Sequence, residues 1–188
     1  MALMGVAMAS CKNQNTEPQT GDTVDTVQMM ENDYDAHLEA IEAYLRTIGS
    51  QYAPSEVCIP SYTVVAIADS DTCETRVWGD WWVFNYNIVG DTLKCVSGGS
   101  HPGLLHLAQN DAHEWVVSSF DQVEDGSRNL ESAKRIFGEW YDTFHTINSN
   151  QNKRDSVRLY MVSNYVRDHD LKVSYLQDYG CPAVELWK

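Results

Sequence analysis

The stretch Arg76–Val89 limits the fold more than any other part of this chain, because it carries Trp78, Trp81, Trp82, Phe84 and Tyr86 in one unbroken run. Rings and β-branched side chains sit well on a pleated surface and crowd a helix. The run therefore predicts a long strand. Side chains alternate along a strand, which places Trp78, Asp80, Trp82, Phe84 and Tyr86 on one face. Gly90-Asp91 then turns the chain into a strand over Leu93–Val96.

The other elements follow from period and punctuation. Tyr62–Ala68 is β-branched and apolar, and Asp69-Ser70-Asp71 ends it in a turn. Leu104–Ala108 and Glu114–Phe120 flank Asn110-Asp111 as a hairpin. Turns this short make neighbouring strands antiparallel. Helical spacing of Tyr34, Leu38, Ile41, Leu45 and Ile48 predicts a helix over 32–48, with Asn32 or Asp33 as its cap and Gly49 as its stop. Asn129–Phe137 reads as helix up to Gly138, and Trp140–Ile147 as a further turn or two. Another helix opens at Asp155, with Val157, Tyr160, Met161 and Tyr165 on one face. The last segment, 171–187, fits strand or helix. The order predicts an α+β domain over 33–188: a curved antiparallel sheet of about four to five strands, with helices packed on one face.

The formal net charge is −14. Such a surface repels phosphate backbones and anionic lipid, which argues against nucleic acid as a partner and against a basic membrane patch. No apolar run after residue 11 is long enough to span a bilayer as a helix. The chain's beginning supplies the expected route to a membrane. Met8-Ala9-Ser10-Cys11 resembles a bacterial lipobox, in which the cysteine carries the lipids after cleavage. The Lys/Arg-rich start of an export signal is missing, which reads as a start codon placed inside the signal. The other reading is an uncleaved apolar amino end on a cytosolic protein. Residues 12–32 are polar and lack aromatic side chains, so they are expected to form a flexible stalk. The expected address is the bacterial cell envelope, at the periplasmic or outer-membrane face, with Cys11 as the lipidation site. Lys12, in place of Asp, is compatible with the outer membrane.

Cys58, Cys73, Cys95 and Cys181 remain. In an exported domain they allow disulfides in three connectivities, and as separate buried thiols they are equally at home in a core. Neither a zinc-like spacing nor a redox pair occurs among them, and Cys181 has only its residue type to suggest a nucleophile.

Ser97-Gly98-Gly99-Ser100-His101-Pro102, a hairpin, Val123-Glu124-Asp125-Gly126-Ser127 and a helix closing on Ile136-Phe137 follow one another. This pattern resembles a family of uncharacterised secreted or lipid-anchored bacterial proteins with an S-G-G-x-x-P segment, a D-G-S turn and a closing I-F. The resemblance covers about residues 75–138 and implies no activity. Many relatives have Pro after the closing pair, where this chain has Gly138. Gly98-Gly99 is expected to allow a bulge or a positive-φ turn, and Asp125-Gly126-Ser127 a turn into a helix cap. An anion-binding nest is the alternative use of the glycines. The order of elements also resembles the NTF2-like or cystatin-like architecture, which implies a bent sheet around helices and a cone-shaped pocket.

Few residues suggest chemistry. His101, His106 and His113 are close in sequence but alternate poorly for a metal, and neither a metal nor a cofactor is expected. His169 lies between acids at a helix end. Asp121, Glu124, Asp125 and Glu139 could supply paired carboxylates for acid–base work. Asp80 stands out further as a candidate general base, with a nearby His as the other, since an acid buried among rings has a raised pKa. The favoured expectation is that a bulge at Gly79 turns it outward. Trp78, Trp82, Phe84, Tyr86 and His101 are the candidate ligand-binding residues, and filling the core is their commoner use. These features point to a non-enzymatic envelope lipoprotein that binds a ligand or partner protein. The alternative is a small NTF2-like hydrolase or isomerase with an acid or His in its pocket.

Overall fold

The computed structural model describes residues 22–70 and 74–188, with backbone alone for 22–33, 69 and 70. Residues 1–21 lie outside the described residues, and with them Cys11 and the first half of the expected stalk. So do Asp71 and Cys73. The chain divides between Asp33 and Tyr34. In the first unit, the described residues from Asp22 onward are helical. The second unit is Tyr34–Lys188.

Helix α1 spans Asp22–Gly49. Five strands follow: β1 Val57–Ser70, β2 Glu74–Val89, β3 Thr92–Ser100, β4 Gly103–Gln109 and β5 Trp115–Gln122. Then come α2 Asn129–Phe137, α3 Tyr141–Asn148 and α4 Gln151–Asp168, and the short strands β6 Tyr175–Gln177 and β7 Val184–Glu185. The fold is α+β with an open, curved, mostly antiparallel sheet. Two short strands more than expected come from the ambiguous final segment. β6 lies parallel to β3, and β7 pairs with β6.

Strand β2 is the axis of the sheet. Along one edge it pairs with β1 over Glu74–Tyr86. Its other edge is shared: Trp82–Val89 pairs with β3, and Glu74–Gly79 with β4. β5 lies outside β4.

Alternation along β2 decides what packs where. Val77, Trp81 and Val83 join Ala40, Ile41, Leu45 and Ile48 of α1 in one core. Trp78 joins Ala133, Ile136, Phe137 and Phe144 of α2 and α3 on the opposite face. Tyr86 joins Val162 and Val166 of α4, with Leu93 and Leu176. Helices thus cover both faces, where the sequence reading placed them on one. Both faces of β2 are apolar, so each requires a cover. The three clusters bury large side chains at about 1.5–3 kcal/mol each.

Local signals account for the ends. Gly138 takes φ +51° at the stop of α2, which a residue with a Cβ resists. Asn150 caps α4 by accepting from the Lys153 backbone N–H. Gly126 takes φ +68° in the turn before α2. The expected bulge at Gly98-Gly99 falls instead at Val96, between the Asn85 and Tyr86 partners. The two glycines serve close packing: a Cβ on Gly98 would lie 2.5 Å from Phe84 Cδ1, and one on Gly99 would meet the Tyr52 hydroxyl.

Candidate binding cleft

Asp80 is turned inward, against the favoured expectation. β2 passes Gly79 and Asp80 without a break, paired with Val64 and Thr63, and the bulge lies on β1 between Val64 and Ala66. Asp80 is 0% exposed. Its Oδ1 accepts from Trp82 Nε1 at 2.9 Å, Asn148 Nδ2 at 3.3 Å and Ser100 Oγ at 3.4 Å. Arg154 Nε stands 3.2 Å from Oδ2. Burial pushes the Asp80 carboxyl above the usual range, and the Arg154 charge and the three hydrogen bonds draw it part of the way back. The upward direction follows because the whole carboxylate has lost water, and the single cation is poorly aligned for a hydrogen bond.

Arg154 and Arg158 are one turn apart on α4 and lie over the aromatic face of β2. The Arg154 guanidinium is 4.7 Å from the Trp82 ring centroid, and its Nη2 donates to Ser100 Oγ at 3.1 Å. The Arg158 guanidinium is 3.7 Å from the Phe84 centroid. Its Nε donates to the Tyr86 hydroxyl at 3.0 Å, and Nη1 and Nη2 grip Asp178 at 2.8 and 2.7 Å. A buried cation needs such a partner, since an unpaired one costs several kcal/mol. Planar guanidinium stacks on rings in a way an ammonium does not.

A cleft of about 230 Å³ opens beside this ladder. Trp82, Phe84, Gly99 and Ser100 form its sheet side, and Arg154 and Arg158 its helical side. Gln151 and Asp155, joined at 2.7 Å, stand at its rim.

The candidates named from sequence do not all meet there. Trp82 is buried and edges the cleft, while Phe84 is half-buried and reaches it. Trp78 is buried under α2, its Nε1 donating to the Ile136 carbonyl at 2.8 Å. Tyr86 is fully buried, and desolvation drives its hydroxyl pKa upward. His101 lies on the other face of the sheet, its Nε2 2.8 Å from the Tyr52 hydroxyl, and burial lowers its pKa. Its neighbour Ser100 pairs with Trp82, so alternation separates His101 from Asp80. His106 stands between Glu74 at 2.6 Å and Asp121 at 3.2 Å. Among the described residues no group of three or more His, Cys, Asp or Glu side chains is arranged to hold a metal. Cys58, Cys95 and Cys181 are free thiols. No described helix is long and apolar enough to cross a membrane.

Arg154, Arg158, Asn148 and Ser100 were missed in the sequence. The available signal was the pair of arginines one turn apart on α4, opposite a strand of rings.

No protein-family model, curated protein or solved structure matches this chain.

Proposed function

We propose that the protein is a non-enzymatic, lipid-anchored binding domain of the bacterial cell envelope, with the cleft between β2–β3 and α4 as its ligand site. One observation carries this reading: the Asp80 carboxylate is closed in by Arg154, Trp82, Ser100 and Asn148, with the cleft open beside it. Asp80 there acts through Arg154, holding its guanidinium at the cleft wall. A half-buried ring, two arginine stems and a few fixed polar groups suit a small ligand with a planar apolar body. A protein partner of the envelope is the other occupant this reading admits.

A thermal-shift screen of the full chain against muropeptides, oligosaccharides and small apolar compounds tests it. A native-state ligand raises the melting temperature by mass action. A shift that disappears in Phe84→Ala supports the cleft. No shift from any class leaves a protein partner, sought by cross-linking in intact envelopes. Mass spectrometry of the native protein checks the anchor, and an unmodified Cys11 would sink it.

The upward shift of the Asp80 carboxyl favours a second reading, a small hydrolase or isomerase with Asp80 as general base. In that case Asp80→Asn abolishes turnover of a cleft ligand and leaves its binding in place.

A further inference from the structure

Helix α4 carries two apolar faces. Val162 and Val166 pack into the core with Leu159 beside them. Of the face read from sequence (Val157, Tyr160, Met161 and Tyr165), the last three lie to one side of it, and Tyr165 also packs against the core cluster. Tyr160 is 54% exposed, and Met161 and Tyr165 are half-buried. This second face walls a groove of about 280 Å³, whose other wall is Glu42 and Arg46 of α1 and whose floor is Ile59 and Pro60 of β1.

The groove mixes flat rings with planar polar groups. Tyr165 is stacked on the His169 imidazole, with centroids 3.8 Å apart and planes at 17°. Tyr160 is tilted against Trp187 at 6.0 Å. Glu42 is held in place, with Oε2 2.8 Å from Arg46 Nη2 and Oε1 accepting from the Tyr62 hydroxyl at 3.2 Å. Asn164, half-buried between the two tyrosines, lines the groove with its donors and acceptor uncommitted among the described residues.

The other ligand classes fit poorly. An apolar ligand would strip water from Asn164, Asp168 and Arg46 without replacing it. An anionic one would meet Glu42, Asp168 and a chain of net charge −14. A peptide added as a strand needs a free backbone edge. Here Pro60 has no N–H to offer, and the Tyr62 N–H is already directed at Met161 Sδ, 3.3 Å away.

We infer that the groove between α1 and α4 binds a neutral sugar, with a ring face on the exposed Tyr160 and hydroxyls on Asn164, Glu42 and Asp168. Sugar hydroxyls both donate and accept, which suits an amide between two carboxylates, and the C–H face of the ring suits an aromatic platform. The volume admits roughly one or two rings. This site is separate from the cleft under Arg154 and does not rest on it.

Calorimetry on the full chain with chito-, cello- and malto-oligosaccharides at millimolar concentration tests the assignment, with oligogalacturonate as the anionic comparison. At least one neutral series is expected to bind, more tightly than oligogalacturonate. Tyr160→Ala and Asn164→Ala, each confirmed folded by its melting curve, are expected to weaken that binding about tenfold. Tyr179→Ala, at an exposed ring outside the groove, is expected to leave it unchanged. Absence of binding by all three neutral series overturns the proposal. So does undiminished binding by the Tyr160 and Asn164 variants, tighter binding of oligogalacturonate, or loss of sugar binding in Tyr179→Ala.

Discussion

Trp81 folds its indole back over Gly79, two residues earlier on the same face of β2: a methyl added to Gly79 would lie 2.5 Å from Trp81 Cε2 and closer still to Cζ2. Trp81 is fully buried, and its Nε1 donates to the Gly103 carbonyl at 3.2 Å. The ring therefore has no free direction in which to yield. Gly79→Ala is expected to lose about 1–3 kcal/mol to overpacking, measured by urea unfolding. A variant as stable as the parent would show that the indole can move.

The Asp80–Arg154 pair gives a second expectation. Removing one partner leaves the other buried without its counter-charge, which costs about 3–5 kcal/mol in fully buried pairs. Arg154 is partly exposed, with a side chain at 19%. Arg154→Met should therefore fall toward the lower end of that range. Chemical denaturation of Arg154→Met beside Arg154→Lys separates the loss of charge from the loss of the guanidinium plane over Trp82.

Asp80 also predicts a pH dependence. Its folded-state pKa lies above that of the unfolded chain, so the folded protein holds the proton more tightly. The stability this contributes is present at low pH and is lost as pH rises from the unfolded value of about 3.9 through the folded one. Asp80→Asn should flatten that part of the stability–pH curve. An unchanged slope would mean that Arg154 outweighs burial and holds the carboxylate ionised.

His101 carries the opposite sign. Burial lowers its pKa, so the unfolded chain takes up the proton first. Its share of stability is present above about 6.5 and declines as pH falls toward the folded value. An NMR titration should place the His101 ring below the usual histidine value, and Tyr52→Phe, which removes the hydroxyl 2.8 Å away, should move it.

Arg158 and Asp178 make a test of the ladder itself. The Asp178 side chain is 45% exposed, so screening reduces what its two bonds contribute. Asp178→Asn is expected to cost about 1 kcal/mol. Its clearer mark would be a weakened thermal response to any ligand of the cleft.

Much of the architecture was legible because the signals were local. Large rings in an uninterrupted run made β2 a strand, and Asn129–Phe137 closing on Gly138 is the helix that the spacing predicts. What was not legible depends on distant partners. β6 has three residues and β7 two, too few for a period, and they exist because β3 offers an edge. The buried face of α4 was misread because Arg158 occupies a core position, which only Phe84, Tyr86 and Asp178 make tolerable. The site was legible by half: Trp82 and Phe84 stand out in the sequence, whereas the arginines that cover them look like ordinary helix-surface charges. Asp80 was assigned to solvent because its counter-charge comes from a helix more than seventy residues later.

The shared edge of β2 bears on how the molecule assembles. β1, β3 and β4 all hydrogen-bond to this one strand, and the β1–β2 and β2–β3 connections are hairpins. Loop closure is cheap for hairpins, so this meander is the natural nucleus. Among the described strands the β4–β5 half and the β3–β6–β7 half join only through β2, so the β3 and β4 ends of the sheet should form and melt together. The parallel β3–β6 pairing joins residues far apart in the chain and comes last. Amide exchange should follow that history in reverse: β6 and β7 open first, at a fraction of the global free energy, and the Trp81–Val83 amides exchange only when the whole domain unfolds.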